Sequence, residues 1–227
     1  MSAEDIQRDF DRIALACAAR PDVPGLYDDF LLAHVPAECE RALEIGCGTG
    51  CFTRALAARV KHVSAVDLSS EMVRVARART AATNVEYRVC DVMEAARTLG
   101  TFECVVSLSA FHHLPQHEGA RALRALTASG GTLILHDLWR VESTADRAFD
   151  AVRLPVKALR LLYARQPLWY GRAERAAWRE HALGDRHLAP REVVSLRDRH
   201  FPGATIHRHF LWRYTLVWHA AGQVLRE

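Results

Sequence analysis

Three glycines at alternate positions, Gly46, Gly48 and Gly50, stand between a short apolar run and a stretch of unbroken helical spacing, and nothing else restricts the fold as much. Arg41-Ala42-Leu43-Glu44-Ile45 leads in and Cys51 to Arg59 leads out. That order reads as strand, tight loop, helix. Glycine suits such a loop because it adopts backbone angles that other residues resist and because its missing β-carbon lets main chain approach a ligand. The following helix directs free N–H groups and the positive end of its dipole back at the loop, which favours a polar or anionic ligand.

The spacing discriminates between ligands. A dinucleotide fingerprint needs G-x-G-x-x-G, and Cys51 stands where its third glycine would fall. A phosphate-gripping Walker loop would need Gly-Lys-Ser/Thr, which is missing. Glu44 would repel a polyanion and attract an ammonium. An acid, one residue and then G-x-G-x-G resembles the first motif of the class I S-adenosylmethionine-dependent methyltransferases. The resemblance covers roughly residues 40 to 220. It implies a Rossmann-like α/β fold, with a seven-stranded, mostly parallel sheet, helices on both faces and a C-terminal antiparallel hairpin.

The strands that follow supply the rest of a nucleoside site. Lys61 to Asp67 reads as a second strand, and an acid at its end is placed to accept both ribose hydroxyls. Ser69 or Ser70 would serve as well for capping the next helix. Val85 to Val92 reads as a third strand ending at a second acid, Asp91. Phe102 to Ser109 is a nearly continuous apolar run, as in strands buried on both faces. Gly46, Asp67, Asp91 and Ser107 then fall at the carboxyl ends of parallel strands, where such sheets bind ligands. The resemblance implies S-adenosylmethionine as cofactor. Glu44 would act on its amino acid end indirectly or through the loop, and Gly46, Cys47, Gly48 and Gly50 would give close main-chain approach. Asp67, with Leu68 beside it, would hold the ribose, and Asp91 and Val92 the adenine. Met72 could touch the adenine or belong to the core.

Ala110-Phe111-His112-His113-Leu114-Pro115 follows the fourth strand. It lacks the Asn/Asp-Pro-Pro-aromatic tetrad of enzymes that methylate nucleic acid amines and resembles the branch acting on quinones and natural products. His112 or His113 could be a general base, since histidine titrates near pH 6.5, or could simply start a helix. A helix over Gln116 to Ala128 and a turn at Ser129-Gly130-Gly131 precede a fifth strand, Thr132 to Leu138. His136 and Asp137 at its end form a second acid/base pair. No H-x-x-x-H or H-E-x-x-H spacing is present, so no metal is expected.

Two outer segments complete the organisation. Residues 1–36 read as two helices, about residues 4 to 20 and 27 to 34, that either close the crevice or pack on a sheet edge. Residues 140–188 exceed what the core over 37–139 and 189–227 needs. Their amphipathic stretch from Ala148 to Ala164, and the helix from Arg172, read as a substrate cap, although the basic, amphipathic character would also suit a membrane surface or a homodimer contact. Tyr27, Phe111, Trp139, Trp169, Tyr170 and Trp178 are the expected aromatic wall.

A net charge of +3 does not call for a nucleic-acid partner. No apolar run approaches the ~20 residues of a membrane helix, and the acidic start lacks the order of a signal peptide. A cytoplasmic protein is expected. The six cysteines form no C-x-x-C pair and read as reduced thiols. The function expected is methyl transfer to a small, aromatic or lipophilic metabolite at O, N or C. A protein of this fold with another activity, such as cyclisation, and a protein or peptide methyltransferase are the alternatives.

Overall fold

The computed structural model describes residues 2–142 and 171–222. Five strands run parallel: β1 (Arg41–Ile45), β2 (His62–Asp67), β3 (Val85–Val89), β4 (Phe102–Leu108) and β5 (Thr127–Leu138). β7 (Arg213–His219) lies antiparallel between β5 and β6 (Thr205–Arg208), giving the order β3-β2-β1-β4-β5-β7-β6. The chain reverses its direction of travel across the sheet between β1 and β4. A crevice therefore opens at their carboxyl ends, the ligand position of open α/β sheets.

Alternation along the strands loads both faces. Leu43 and Ile45, with Val105, Leu133 and Leu135, point toward α6 (Gln116–Leu126) and α8 (Pro190–His200). Ala42, Cys104, Val106 and Ile134 point the other way, toward α2 (Asp28–Leu32), α3 (Cys51–Ala57) and α4 (Ser70–Arg79). Each fully buried Leu, Ile or Phe contributes about 1.5–3 kcal/mol, so the two-sided apolar runs hold the sheet centrally. All six cysteines are unpaired thiols.

Local chemistry sets the helix ends. α1 (Ala3–Cys17) starts with a reciprocal cap, in which Ser2 Oγ accepts from the Asp5 amide and the Asp5 carboxylate accepts from the Ser2 amide. Ser69 caps α4 by accepting from the Met72 amide at 3.1 Å. α8 starts on Pro190, and Glu192 accepts from the Ala189 amide at 2.7 Å.

Two boundaries differ from the sequence reading. The third strand stops at Val89, because the Asp91 carboxylate accepts from the Met93 amide at 2.8 Å and starts the short helix α5 (Val92–Ala95). The expected turn at Ser129-Gly130-Gly131 lies inside β5 as a bulge, since Phe102 pairs with Thr127 but Cys104 with Thr132.

α1 is fastened across the crevice. Asp11 accepts from Ser69 Oγ at 2.5 Å and from the Glu71 amide at 3.1 Å. Asp22, between α1 and α2, accepts from Thr49 Oγ1 of the glycine loop and is paired with Arg54 and Arg79. α2 packs on α3, and Leu31 and Leu32 join the core on that face of the sheet. The remaining described helix, α7 (Arg172–Ala182), packs on α1, with Ala177 buried beside Ile13, Ala14 and Met72.

Gly50 has φ +77°, and a β-carbon there would lie 2.5 Å from Tyr87 Oη and 3.1 Å from Ala76 Cβ. Gly50→Ala is expected to destabilise the protein by about 1–3 kcal/mol, from left-handed backbone strain plus this contact, read as a lower thermal midpoint.

Candidate active site

A cavity of about 800 Å³ lies over the carboxyl ends of β1, β2 and β4. That is within the ~300–1,000 Å³ range of small-molecule sites. The glycine loop forms its floor at Gly46, Gly48 and Thr49. Asp67, Leu68 and Met72 form one side, and Asp91, Val92 and Met93 the next. Ser109, Ala110, His112 and His113 follow β4. α1 closes it with Ile6, Phe10 and Ile13, and α7 with Trp178.

Asp67 organises the floor. Its carboxylate accepts from the Gly48 amide at 2.8 Å and from the Ser69 amide at 2.9 Å. Burial pushes its carboxyl above the ordinary value, while these two amides oppose the rise. Helix capping falls to Ser69, which leaves Asp67 free for the loop and the cavity. Gly48, at φ +52°, has open space where a β-carbon would stand, whereas one at Gly46 would meet Ala110 Cβ at 2.4 Å. Of the three, Gly48 thus has open space on its β-carbon side, while at Gly46 and Gly50 that side is filled by the protein's own atoms.

Glu44 lies under the loop, 1% exposed, and does not line the cavity. Burial raises its carboxyl to about 8, Asp67 and Asp28 add repulsion, and Thr53 and Arg54 oppose. At neutral pH it is mostly the neutral acid, with Oε2 lacking a hydrogen-bond partner.

The first acid/base candidates form one unit. His112 Nδ1 sits 2.7 Å from Asp137 Oδ1, and Asp137 Oδ2 accepts from the His112 amide at 2.9 Å. Burial lowers the His112 imidazole, but the bond and charge of Asp137, aided by Asp185, outweigh it and the net shift is upward. Burial alone would raise Asp137, and the His112 contacts reverse that to a lowered value. His113 is pushed down to about 3 by burial and by the charges of His112 and His181.

Several expected residues lie elsewhere. His136 is also held near 3, by burial and by Arg213 and His209, and pairs with Thr215 Oγ1 at 2.8 Å away from the cavity. Tyr27 packs at a tilt against the rings of His136 and His209 and donates to the Phe210 carbonyl at 3.0 Å. Phe111 and Trp139 are core residues, Trp139 stacked on Tyr214. Cys47, Gly50, Ser107 and Asp137 do not line the cavity. Trp169, Tyr170 and the stretch from Ala148 to Ala164 lie outside the described residues.

The sequence reading missed a cluster around His112. Asp185 Oδ1 lies 3.3 Å from His181 Nε2, 3.8 Å from His113 Nδ1 and 3.9 Å from His112 Nε2. The signal was present as H-x-x-x-D-x-H over residues 181 to 187. A search for histidine pairs alone passes over it.

Residues 42–131 match a family model described as a methyltransferase domain. An uncharacterized methyltransferase of Mycobacterium bovis is 36% identical over 108 residues, 47% of this chain and 55% of that protein. The ubiquinone biosynthesis O-methyltransferase of Xanthomonas campestris is 36% identical over 116 residues, 49% and 48% of the two chains. The chain thus spans about half the length of the curated relatives it matches. The N-methyltransferase NodS of Bradyrhizobium japonicum, solved with S-adenosyl-L-homocysteine, superposes with a TM-score of 0.61 at 15% identity, over 94% of this chain and 97% of that one. That likeness is one of fold.

Proposed function

We propose, from the premise that this chain carries a class I S-adenosylmethionine-dependent methyltransferase domain, that it methylates a small aromatic or lipophilic molecule and that His112 takes the substrate's proton. S-adenosylmethionine is the cofactor of that domain. The chain's own residues fit it: the Gly48 cradle is open, Asp67 offers a carboxylate to ribose hydroxyls, and Val66, Leu68, Met72, Val92 and Met93 give an adenine apolar surroundings. Asp91 is near enough to the same wall to receive an exocyclic amine. When bound, the cofactor supplies an electrophilic methyl group on a sulfonium.

The protein's share of the reaction is orientation, exclusion of water and one proton. Ile6, Phe10, Ile13 and Trp178 over the crevice keep solvent from the reacting centre and favour an apolar acceptor. His112 is the best placed base, because it reaches the cavity and Asp137 fixes its ring and stabilises the cation formed when it takes a proton. Asp137 is then a positioning residue, His113 remains a neutral wall of the cavity, and His136 stays neutral outside it.

The observation that carries the proposal is that the glycine loop, Asp67, Asp91 and His112 share one cavity. Incubation with methyl-labelled cofactor and a panel of phenols, quinols and amines is expected to put label on a small product. A cofactor-binding protein that leaves label in the cofactor with every acceptor would overturn it. Asp67→Ala is expected to weaken S-adenosylhomocysteine binding by about 1–3 kcal/mol, through lost hydrogen bonds to a charged group. An unchanged dissociation constant in calorimetry would remove Asp67 from the ribose site.

A further inference from the structure

Asp185 Oδ1 is a buried carboxylate oxygen without a hydrogen-bond partner, ringed by imidazoles. An orphaned buried acceptor is costly, and an absent ion is one of the few explanations for it. His113 Nε2 and His187 Nδ1 are orphaned as well. We infer that His112 Nε2, His113 Nδ1 and Asp185 Oδ1 form a binding site for a divalent transition-metal ion of the zinc type, with His181 Nε2 beside the Asp185 carboxylate at 3.3 Å.

The geometry suits that ion. The donor atoms of His112, His113 and Asp185 lie within 4.8 Å of one another. Two donors each about 2.1 Å from a tetrahedral zinc stand roughly 3.4 Å apart, so the observed separations of 3.8 and 3.9 Å need only a small contraction. Ligand chemistry favours the same class, because imidazoles with one carboxylate suit zinc, iron, nickel or copper, whereas magnesium and calcium prefer oxygen.

Second-shell contacts are also in place. Metal-bound histidines commonly give their other ring nitrogen to a carboxylate, which fixes the tautomer and leaves a lone pair for the ion. Asp137 does this for His112 Nδ1. His181 stands behind the other ligand, between Asp185 and Asp9, at 3.3 Å from each. A second possible grouping, His112 with Asp137 and His187, is weaker. Asp137 already accepts from the His112 and Leu138 amides and from the His112 ring. Two aspartates, Asp137 and Asp185, face the cluster against one nearby cation, Arg213, so a dication brings the local charge toward balance.

The site joins three segments that the chain brings together from afar: the turn after β4, α7 and the loop that follows it. An ion there would staple them, and its stabilisation would follow mass action. It would also occupy the nitrogen through which His112 takes a proton, so zinc is expected to inhibit a base-dependent transfer.

Chelator-stripped full-length protein titrated with Zn²⁺ alone in a calorimeter is expected to bind one ion per chain and to gain thermal stability. Asp185→Asn and His113→Gln, each checked for folding by circular dichroism, should weaken binding at least tenfold. Co²⁺ bound to the wild type should show ligand-field bands in the visible that Asp185→Asn abolishes. No saturable Zn²⁺ binding, or binding of equal strength in both folded variants, would overturn the site. S-adenosylhomocysteine titrated into the stripped protein reports on the nucleoside reading independently, since none of the three ligands belongs to the glycine loop.

Discussion

His112→Gln lowers the turnover of methyl transfer about 10²–10⁴-fold in the metal-free protein while leaving S-adenosylhomocysteine affinity within a factor of a few. The expectation follows from where the ring sits. Nδ1 is committed to Asp137, so Nε2 is the nitrogen that reaches an acceptor hydroxyl, and glutamine keeps the bulk of the side chain without its basicity. The pH profile carries a second, sharper signature. Because the His112 value lies above that of ordinary histidine, the base is free only at higher pH, and the rate rises as pH passes through that raised value. Asp137→Asn removes the charge that helps to raise it but leaves the burial that lowers it. The inflection therefore moves toward acid, even as the rate falls from a less well oriented ring. If His112 is not the base, the loss of that charge displaces no inflection in the rate. Rate against pH for wild type and both variants decides it, and a His112→Gln enzyme with full turnover and an unchanged profile removes the base from the mechanism.

Local pattern made the core of this molecule legible. The apolar runs that became β1, β2 and β4 are buried on both sides by helices close in sequence, and the Gly46–Gly48–Gly50 spacing needs no distant partner to be recognised. Asp67 and Asp91 both line the cavity because parallel strands bring their carboxyl ends to one edge. What escaped depends on pairing across the chain. Asp22 meets Arg79 and Thr49 only because α1 crosses the crevice, and nothing near Asp22 signals that. Asp185 meets His112, and His181 meets His113, only after α7 folds back on α1. The same limit misplaced Tyr27 and Trp139, aromatic residues close to the site in sequence that the hairpin β6–β7 draws away to His209 and Tyr214. Ser129-Gly130-Gly131 had turn chemistry, but a bulge uses the same residues, and the choice was made by β4 pairing beyond it.

Glu44 is where the same fold asks for a carboxylate that it cannot keep ionised alone. Strand alternation turns Glu44 away from Leu43 and Ile45, toward the face that α3 covers. Burial raises its carboxyl in the folded chain to about 8, against about 4.5 for a free glutamate. Between those values the native state holds a proton that the unfolded chain has shed, so stability falls as pH rises through the window, by about 1.4 kcal/mol per unit, and levels off above it. Below the lower value both states are protonated and no penalty remains. Glu44→Gln, which cannot ionise, is therefore expected to exceed the wild type by about 3 kcal/mol at pH 7, with the difference vanishing as pH approaches 4.5. Denaturant unfolding at several pH values measures it. A wild type whose stability is flat from pH 5 to 8, or a variant that gains nothing at pH 7, would show that the carboxylate is already compensated. The ligand then separates cost from use. If Glu44 acts on the cofactor's ammonium through the loop, that cation favours the ionised form, so S-adenosylhomocysteine should stabilise the wild type more than Glu44→Gln at pH 8, and its binding near neutral pH should release a proton from the wild type that the variant does not release. Equal stabilisation of the two proteins would leave Glu44 a buried acid beneath the loop with no part in holding the ligand.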